Sequence, residues 1–450
     1  MTHYTNRFAG RLLLRDELDL TDPEFTRLLK TNQLTPTQPI KRHNLSYQCQ
    51  RCGNTAKHLF GKIPCSNCRV THPYCRKCIQ MGRIMSCTPL YEWRGQSPVW
   101  PTQTEHPLAW QGKLTSSQQQ ASNQIIKAIE TESAELLIHA VCGSGKTEML
   151  FEGIALAIQQ QKRICLTSPR ADVIRELLPR FNSAFPMTSI AGLYGGSGKN
   201  HETAQLTLAT THQLLRYKDA FDLIIIDEID AFPFHADPSL PFATKRARKK
   251  LASTIYLTAT PRSDLLNKNP ETVFVPIRYH GQPLPVPTQL LTYQLQTDAF
   301  PKCFWEWIKN RQQPDRQLLI FTATIAQAEA KRPILRQKLT DKTIDSVHAE
   351  DPNRMDKVQQ FRDKQIDILL TTTILERGVT FPSVDVVVLD AGHDVFDQAA
   401  LVQIAGRAGR SPDDPFGEVV FIHDGKTRAI KESIQSIRLM NERAGFERST

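Results

Sequence analysis

No apolar run in the 450-residue chain approaches the ~20 residues needed to cross a bilayer, and the opening stretch, Met1-Thr2-His3-Tyr4-Thr5-Asn6-Arg7, is polar. The sequence therefore predicts no transmembrane segment, no signal peptide and a cytoplasmic protein. Cysteine is scarce over most of the length: of ten, seven fall between Cys49 and Cys87, and only Cys142, Cys165 and Cys303 lie beyond. In a reducing compartment that distribution argues against a disulfide framework and for a metal module near the N-terminus. Aromatic residues are few, 8%, but hydrophobic residues reach 40%, enough at this length for two or three cores and hence several domains. Acidic residues are outnumbered, and the formal net charge of +10 favours a polyanionic partner. The densest basic run, Lys245, Arg246, Arg248, Lys249 and Lys250, reads as one solvated helix face.

What is present is organised around residues 140–147, Ala-Val-Cys-Gly-Ser-Gly-Lys-Thr. Leu136-Leu137-Ile138 before it suits a buried strand, and Glu148 onward has helical spacing, so the stretch reads as a phosphate-binding loop joining a strand to a helix. Gly143, Ser144 and Gly145 let successive backbone N–H groups face an anion, Lys146 can reach the β- and γ-phosphates, and the Thr147 hydroxyl can hold Mg²⁺. The general pattern has glycine where this chain has Ala140. A second glycine-rich stretch, Gly195-Gly196-Ser197-Gly198-Lys199, continues with Asn200, which has no hydroxyl for a metal, and reads as a loop. Upstream, Leu114-Thr115-Ser116-Ser117-Gln118 is a polar helix start, and Gln118 is placed to read an adenine edge.

Paired cysteines dominate the N-terminal quarter: Cys49/Cys52, Cys65/Cys68 and Cys75/Cys78, with Cys87 trailing. Each Cys-x-x-Cys can form a knuckle, and two knuckles complete a tetrahedral Cys₄ zinc site. Cys49/Cys52 can join either Cys65/Cys68 or Cys75/Cys78, and spacing does not choose between them. Residues 1–44 carry helical fragments, 45–91 the metal module, and 92–113, rich in Trp, Pro, Gln and Thr, a connector.

Beyond the loop, strand-like runs at 163–167, 205–209, 222–226 and 254–257 alternate with helical segments, which argues for a parallel, doubly wound α/β sheet. The run ending in Asp227-Glu228-Ile229-Asp230 puts acids at the carboxyl end of a buried strand, where Asp227 can serve Mg²⁺ through water and Glu228 can deprotonate an attacking water. Prolines cluster at 276–287 as a linker between a first lobe, 114–275, and a second, 288–450. The second series, 317–322, 367–373 and 384–390, carries no second phosphate loop. It ends in Gln403-Ile404-Ala405-Gly406-Arg407-Ala408-Gly409-Arg410, whose arginines can stabilise charge on a transferring phosphoryl group.

From Leu114 to Arg410 this order of motifs resembles superfamily 2 helicases and translocases. Longer words resemble the ComFA family, late-competence ATPases of Gram-positive DNA uptake: residues 140–151, 210–219, 227–233 and 371–380, together with Met81-Gly82-Arg83 after the third cysteine pair. The resemblance implies two RecA-like lobes preceded by a zinc-ribbon-like module. It also implies ATP, Mg²⁺ and Zn²⁺ as cofactors, and a phosphate loop that commonly starts with alanine. It assigns Thr258-Ala259-Thr260 to coupling, Gly378 to the nucleotide, and Pro169, Arg170, Thr210, Thr211 and Thr372 to the DNA backbone. Zinc falls on Cys49, Cys52, Cys75 and Cys78. Cys65, Cys68 and Cys87 exceed the family pattern, either as an alternative pair or as ligands of a second metal with His58 or His72.

The implied function is ATP-dependent translocation of single-stranded DNA during competence, at the inner face of a membrane uptake channel with other competence proteins, as a single chain or an oligomer. An alternative is a replication-restart or repair helicase of the primosome type, in which the zinc segment interrupts the helicase core rather than preceding it. Another is a nucleotide-gated DNA-binding module, which would have no chemical need of Glu228, Arg407 and Arg410.

Overall fold

The protein is described here from a computed structural model, over residues 3–43, 46–103, 105–197, 203–295 and 299–446. Gly198, Lys199 and Asn200 of the second glycine-rich stretch lie outside the described residues.

The first lobe is built on seven strands: β1 Glu135–Ala140, β2 Ile164–Ser168, β3 Ile190–Leu193, β4 Leu206–Thr210, β5 Phe221–Asp227, β6 Arg248–Thr258 and β7 Glu271–Val275. They form one parallel sheet in the order β3-β4-β2-β5-β6-β1-β7. Parallel strands need crossovers, so both faces are covered and the strands read as continuous apolar runs. Side-chain alternation divides the burial. Leu136, Ile138, Leu166 and Ile225 face helices Ser116–Glu130, Phe151–Gln159 and Ala171–Ala184 in one core. Leu137, Cys165, Ile224 and Ile226 face the other way, into a core shared with Cys49, Cys52, Cys75 and Cys78. The cysteine module is thus one wall of the first lobe.

Arg246 fixes that wall, which corrects the reading of its basic run as a solvated face. The run straddles the end of helix Ser239–Ala247 and the start of β6. Lys249 and Lys250 are exposed, but Arg246 donates to the carbonyls of Gln50 (2.6 Å), Arg51, Leu215 (2.7 Å) and Tyr217 (2.9 Å). A guanidinium presents five donors in a planar fork, so one arginine satisfies carbonyls of the first cysteine knuckle and of the lobe together.

The extreme N-terminus also joins the module. Leu90–Trp93 pairs antiparallel with Leu12–Leu13 and with Leu34–Thr37, so residues before and after the cysteines share one three-stranded sheet.

The second lobe has β8 Thr288–Leu291, β9 Gln317–Phe321, β10 Ile344–Val347, β11 Ile368–Thr371, β12 Val384–Val388 and β13 Val419–His423, all parallel, in the order β8-β13-β12-β9-β11-β10. Val141, Cys142 and Ala259 of the first lobe belong to its core cluster with Val402, Ala405 and Ala408. The lobes are therefore packed together along the edge where the carboxyl ends of β1, β5 and β6 emerge, which is where ligands sit in open α/β sheets. Among the described residues no helix is long and apolar enough to cross a membrane.

Candidate active site and metal centre

The turn after β1 is a phosphate cradle. Gly143 and Gly145 have φ of +79° and +71°, a backbone that costs glycine little and turns consecutive N–H groups to one side. Gln118 braces it from the preceding helix: its side-chain Nε2 donates to the Ser144 carbonyl at 2.7 Å, while its Oε1 accepts from the Thr115 N–H at 2.8 Å. The amide keeps one N–H and one lone pair for a ligand. Tyr279 closes the other side, its N–H donating to the Gly143 carbonyl at 3.0 Å.

Above the cradle lies a cavity of about 570 Å³, lined by the loop, Gln118, Asp227, Glu228 and, from the second lobe, Gln403 and Arg410. A smaller recess of about 130 Å³ adjoins Thr147, Asp227 and Glu228 and reaches Gly378 and Arg407. The structure thus brings Lys146, Thr147, Asp227, Glu228, Gly378, Arg407 and Arg410 together from two lobes. Polar groups on these walls are left over: the Ser144 hydroxyl, Glu228 Oε2 and Arg407 Nη1 are buried without partners, as a site built for a polar ligand requires.

Electrostatics follow from burial. Asp227 is pushed up to about 7, first by desolvation and then by the Glu228 charge, with Lys146 opposing. Glu228 sits in the left-handed region, φ +54°, with its N–H donating to Asp227 Oδ1 at 2.9 Å, a strained turn at the cavity wall. Asp230 completes the turn. Burial raises its pKa, but the Arg377 charge and hydrogen bonds from Arg377, Thr258 and Thr260 outweigh burial and hold it well below the usual carboxylate range. Thr260 Oγ1 donates to it at 2.6 Å, and Arg377, fully buried, reaches it from the second lobe. Arg407 has no such partner: its Nε donates to the Glu376 carbonyl at 3.0 Å, and burial and the Arg410 charge push its pKa well down.

Other ties hold the lobes closed. Arg170 donates to the Ile374 carbonyl at 2.9 Å, Arg354 to Asp172 at 2.7 Å, Arg262 to Asp397 at 2.7 Å, and the Cys142 thiol to Gln403 at 3.0 Å.

The positions expected at a DNA backbone lie at the carboxyl ends of β2, β4 and β11. Thr210 and Thr211 are buried, the latter accepting a hydrogen bond from Thr167 Oγ1 at 3.2 Å, while Arg170 and Thr372 are half-buried. Sequence reasoning passed over Trp110, Arg180, Tyr279, Thr380 and Gln403 as cavity residues. Trp110 and Tyr279 lie in segments with the composition of a connector and a linker, and Gln403 opens the arginine run, so no local motif singles them out.

In the cysteine module, Cys49, Cys52, Cys75 and Cys78 are buried with their sulfurs mutually within 4.8 Å. Cys49–Cys78 and Cys52–Cys75 are 3.8 and 3.6 Å apart. A tetrahedral zinc with Zn–S of about 2.3 Å sets sulfurs about 3.8 Å apart, so the four thiols fit such an ion. The Gly53 N–H donates to the Cys49 carbonyl at 2.8 Å with φ +73°, the tight turn of a knuckle.

Residues 1–92 match the competence protein ComFA N-terminal domain, 111–263 the type III restriction enzyme res subunit and 299–412 the helicase conserved C-terminal domain. The chain is similar to competence protein ComFA of Bacillus subtilis, 43% identical over 97% of this chain and 94% of the relative. It is also similar to competence protein ComFA of Streptococcus pneumoniae, 36% identical over 98% and 99%. Among solved structures it is similar in fold to S. cerevisiae Dbp5 bound to RNA and ADP BeF3, with TM-score 0.52, 15% identity and coverage of 73% of this chain and 91% of that one. It is similar in the same way to Mycobacterium smegmatis helicase Lhr bound to ssDNA and AMP-PNP, with TM-score 0.52, 16% identity and coverage of 74% and 50%. With two helicase-type lobes of an ATP-hydrolysing enzyme and relatives matched over nearly their whole length, the chain belongs to the ComFA family of competence proteins.

Proposed function

We propose that the chain is an ATP-driven motor that pulls single-stranded DNA inward during competence, working at the inner face of a membrane channel through partner proteins. The observation that carries the reading is the shared cavity, walled by the phosphate loop and acids of one lobe and the arginines of the other. In this reading Lys146 and the N–H groups of Gly143, Ser144 and Gly145 bind the β- and γ-phosphates, and Gln118 orients the adenine end of the site. Glu228 takes the proton of the water that attacks the γ-phosphorus as the bond to the β-phosphate oxygen breaks. Arg407 and Arg410 stabilise the charge that builds on the transferring group, and Gly378 lets the second lobe approach. Mg²⁺, held through Thr147 and Asp227, would neutralise phosphate charge when bound.

Pro169, Arg170, Thr210, Thr211 and Thr372 hold the DNA backbone. Because Thr210 and Thr211 are buried, they serve through main-chain N–H groups, which read phosphates without reading bases. Opening and closing of the lobes then alternates two grips on the strand. The Cys₄ site takes Zn²⁺ and fixes the module as a wall of the first lobe.

The test is ATP hydrolysis by the purified chain with and without single-stranded DNA, paired with transformation of cells carrying Lys146→Ala. Expected are Mg²⁺-dependent turnover stimulated by the strand, and lost transformation with normal survival of ultraviolet damage. Damage sensitivity with intact transformation would overturn the import reading, and turnover indifferent to DNA would overturn the motor.

A further inference from the structure

Three cysteines of the N-terminal module remain outside its buried centre, and they are not scattered. The Sγ atoms of Cys65, Cys68 and Cys87 all lie within 4.8 Å of one another. Cys65 and Cys68 sit at the tip of the hairpin formed by strands Phe60–Pro64 and Thr71–Cys75, and Cys87 follows strand Ile84–Met85, which pairs with the same hairpin.

The tip repeats the backbone of the buried knuckle. There, the N–H of Gly53 donates to the Cys49 carbonyl at 2.8 Å; here, the N–H of Arg69 donates to the Cys65 carbonyl at 2.8 Å. Gly53 has φ +73° and Arg69 has φ +59°. Arginine adopts that region at a steric cost, and an exposed residue has no packing reason to accept it.

A fourth donor stands beside Cys68. His72 Nε2 is 3.1 Å from Cys68 Sγ, while its Nδ1 is 3.0 Å from Ser86 Oγ. A ligating imidazole is commonly held through its second nitrogen in this way, with the partner fixing tautomer and ring orientation.

We propose that Cys65, Cys68, Cys87 and His72 form a second zinc site, independent of the Cys₄ centre, with Ser86 as the positioning residue of His72. Three thiolates and one imidazole form a soft donor set that suits Zn²⁺ and does not suit Mg²⁺ or Ca²⁺. The ion would staple the hairpin tip to the segment carrying Ser86 and Cys87. Because Cys68 is exposed and Cys65 and Cys87 are half-exposed, this ion exchanges with chelators while the buried one is retained.

The experiment uses the full chain purified with zinc and reductant, with metal counted by mass spectrometry. Expected are two zinc ions per chain in the native protein and one in Cys65→Ser/Cys68→Ser, with circular dichroism unchanged. Ser86→Ala should keep both ions but weaken the labile one by about 10- to 100-fold against a competing chelator, since it removes only the imidazole's orienting partner. Alkylation mapping supplies a second readout: brief chelation should expose Cys65, Cys68 and Cys87 to reagent while Cys49, Cys52, Cys75 and Cys78 stay protected. One zinc in the native chain, two that persist in the double variant, or a disulfide among these three cysteines in the reduced protein would each overturn the proposal.

Discussion

Two regions of the junction between the lobes bury an arginine, and the chain treats them in opposite ways. Arg377, fully buried, lies against Asp230 of the first lobe, and the surrounding carboxylates outweigh the effect of burial and hold its proton more firmly than usual. Arg407, also fully buried, donates to a neutral carbonyl, and burial and the like charge of Arg410 outweigh the opposing charge of Glu228. A buried ion pair gains its strength from having both members present, whereas a buried lone cation is a standing cost unless something anionic arrives. The first region therefore behaves as a latch whose charges are paired within the protein, although Arg377 Nε and Nη1 make no hydrogen bond. The second lines a recess that, in the proposed function, a phosphate would fill. Asp230 is bonded at once to Arg377 and to Thr258 and Thr260, in the same turn as Glu228, so the latch also ties the turn carrying Glu228 to lobe position.

The sharpest break of the comparison is Arg407→Ala. Loss of a transition-state arginine costs on the order of 10³-fold in turnover, yet removal of an uncompensated buried charge should leave thermal stability unchanged or raised. Calorimetry beside an ATPase assay checks this, and a variant that unfolds early while its surviving fraction turns over normally would reverse the two roles.

Arg377→Met should do the opposite. It leaves the buried Asp230 carboxylate with the Thr258 and Thr260 hydroxyls but no opposite charge, a loss of about 3–5 kcal/mol that the molecule can avoid by separating the lobes. A fluorophore pair placed across the cleft should report a longer distance without nucleotide, and ATP should still bind the first lobe. An unchanged distance distribution would show that the pair is not a latch. Asp230→Leu with Arg377→Met, both partners replaced by apolar side chains, should recover much of the stability but not the coupling of turnover to DNA.

Glu228→Gln sharpens the same boundary from the first lobe. It keeps the shape of the turn and removes the base, so turnover should fall by at least ~10² while ATP affinity holds. Comparable losses in both quantities would mean that Glu228 binds rather than activates.

Much of this was legible before the fold was known, and the parts that were not share a cause. That Lys146, Thr147, Asp227 and Glu228 belong around one cavity could be read because the pattern is local: a loop at fixed spacing and acids at the end of an apolar run. The two parallel sheets could be read because strands buried on both faces leave continuous runs such as Leu223-Ile224-Ile225-Ile226. Pairings across long separations left no such trace. Spacing alone allowed Cys49/Cys52 two partners; the family resemblance through Met81-Gly82-Arg83 pointed to Cys75 and Cys78, and the folded hairpin brings the four sulfurs together. Arg246 looked like one charge in a run because nothing local announces the Gln50 and Arg51 carbonyls it serves. Asp230 and Arg377 each fell within a recognised motif, but the bond between them joins residues 147 positions apart. Thr211 matched a nucleic-acid position by its motif, although its side chain is turned inward to Thr167.

The smallest expected effect concerns Gln118, and it separates two roles that one side chain can hold. Its Oε1 and Nε2 are already engaged, capping its own helix at Thr115 and bracing the Ser144 carbonyl, but each atom retains one further bonding capacity toward the cavity it lines. A capping and bracing role is worth about 1 kcal/mol, roughly a fivefold rise in KM, and must weaken every nucleotide alike because it acts on the loop and not on the base. An adenine-reading role predicts instead that ATP suffers while GTP does not, since only the matched base loses hydrogen bonds. Measuring KM for both nucleotides in Gln118→Ala decides between them. A parallel rise would leave Gln118 as part of the loop's scaffold, and a rise confined to ATP would make it the residue that chooses the base.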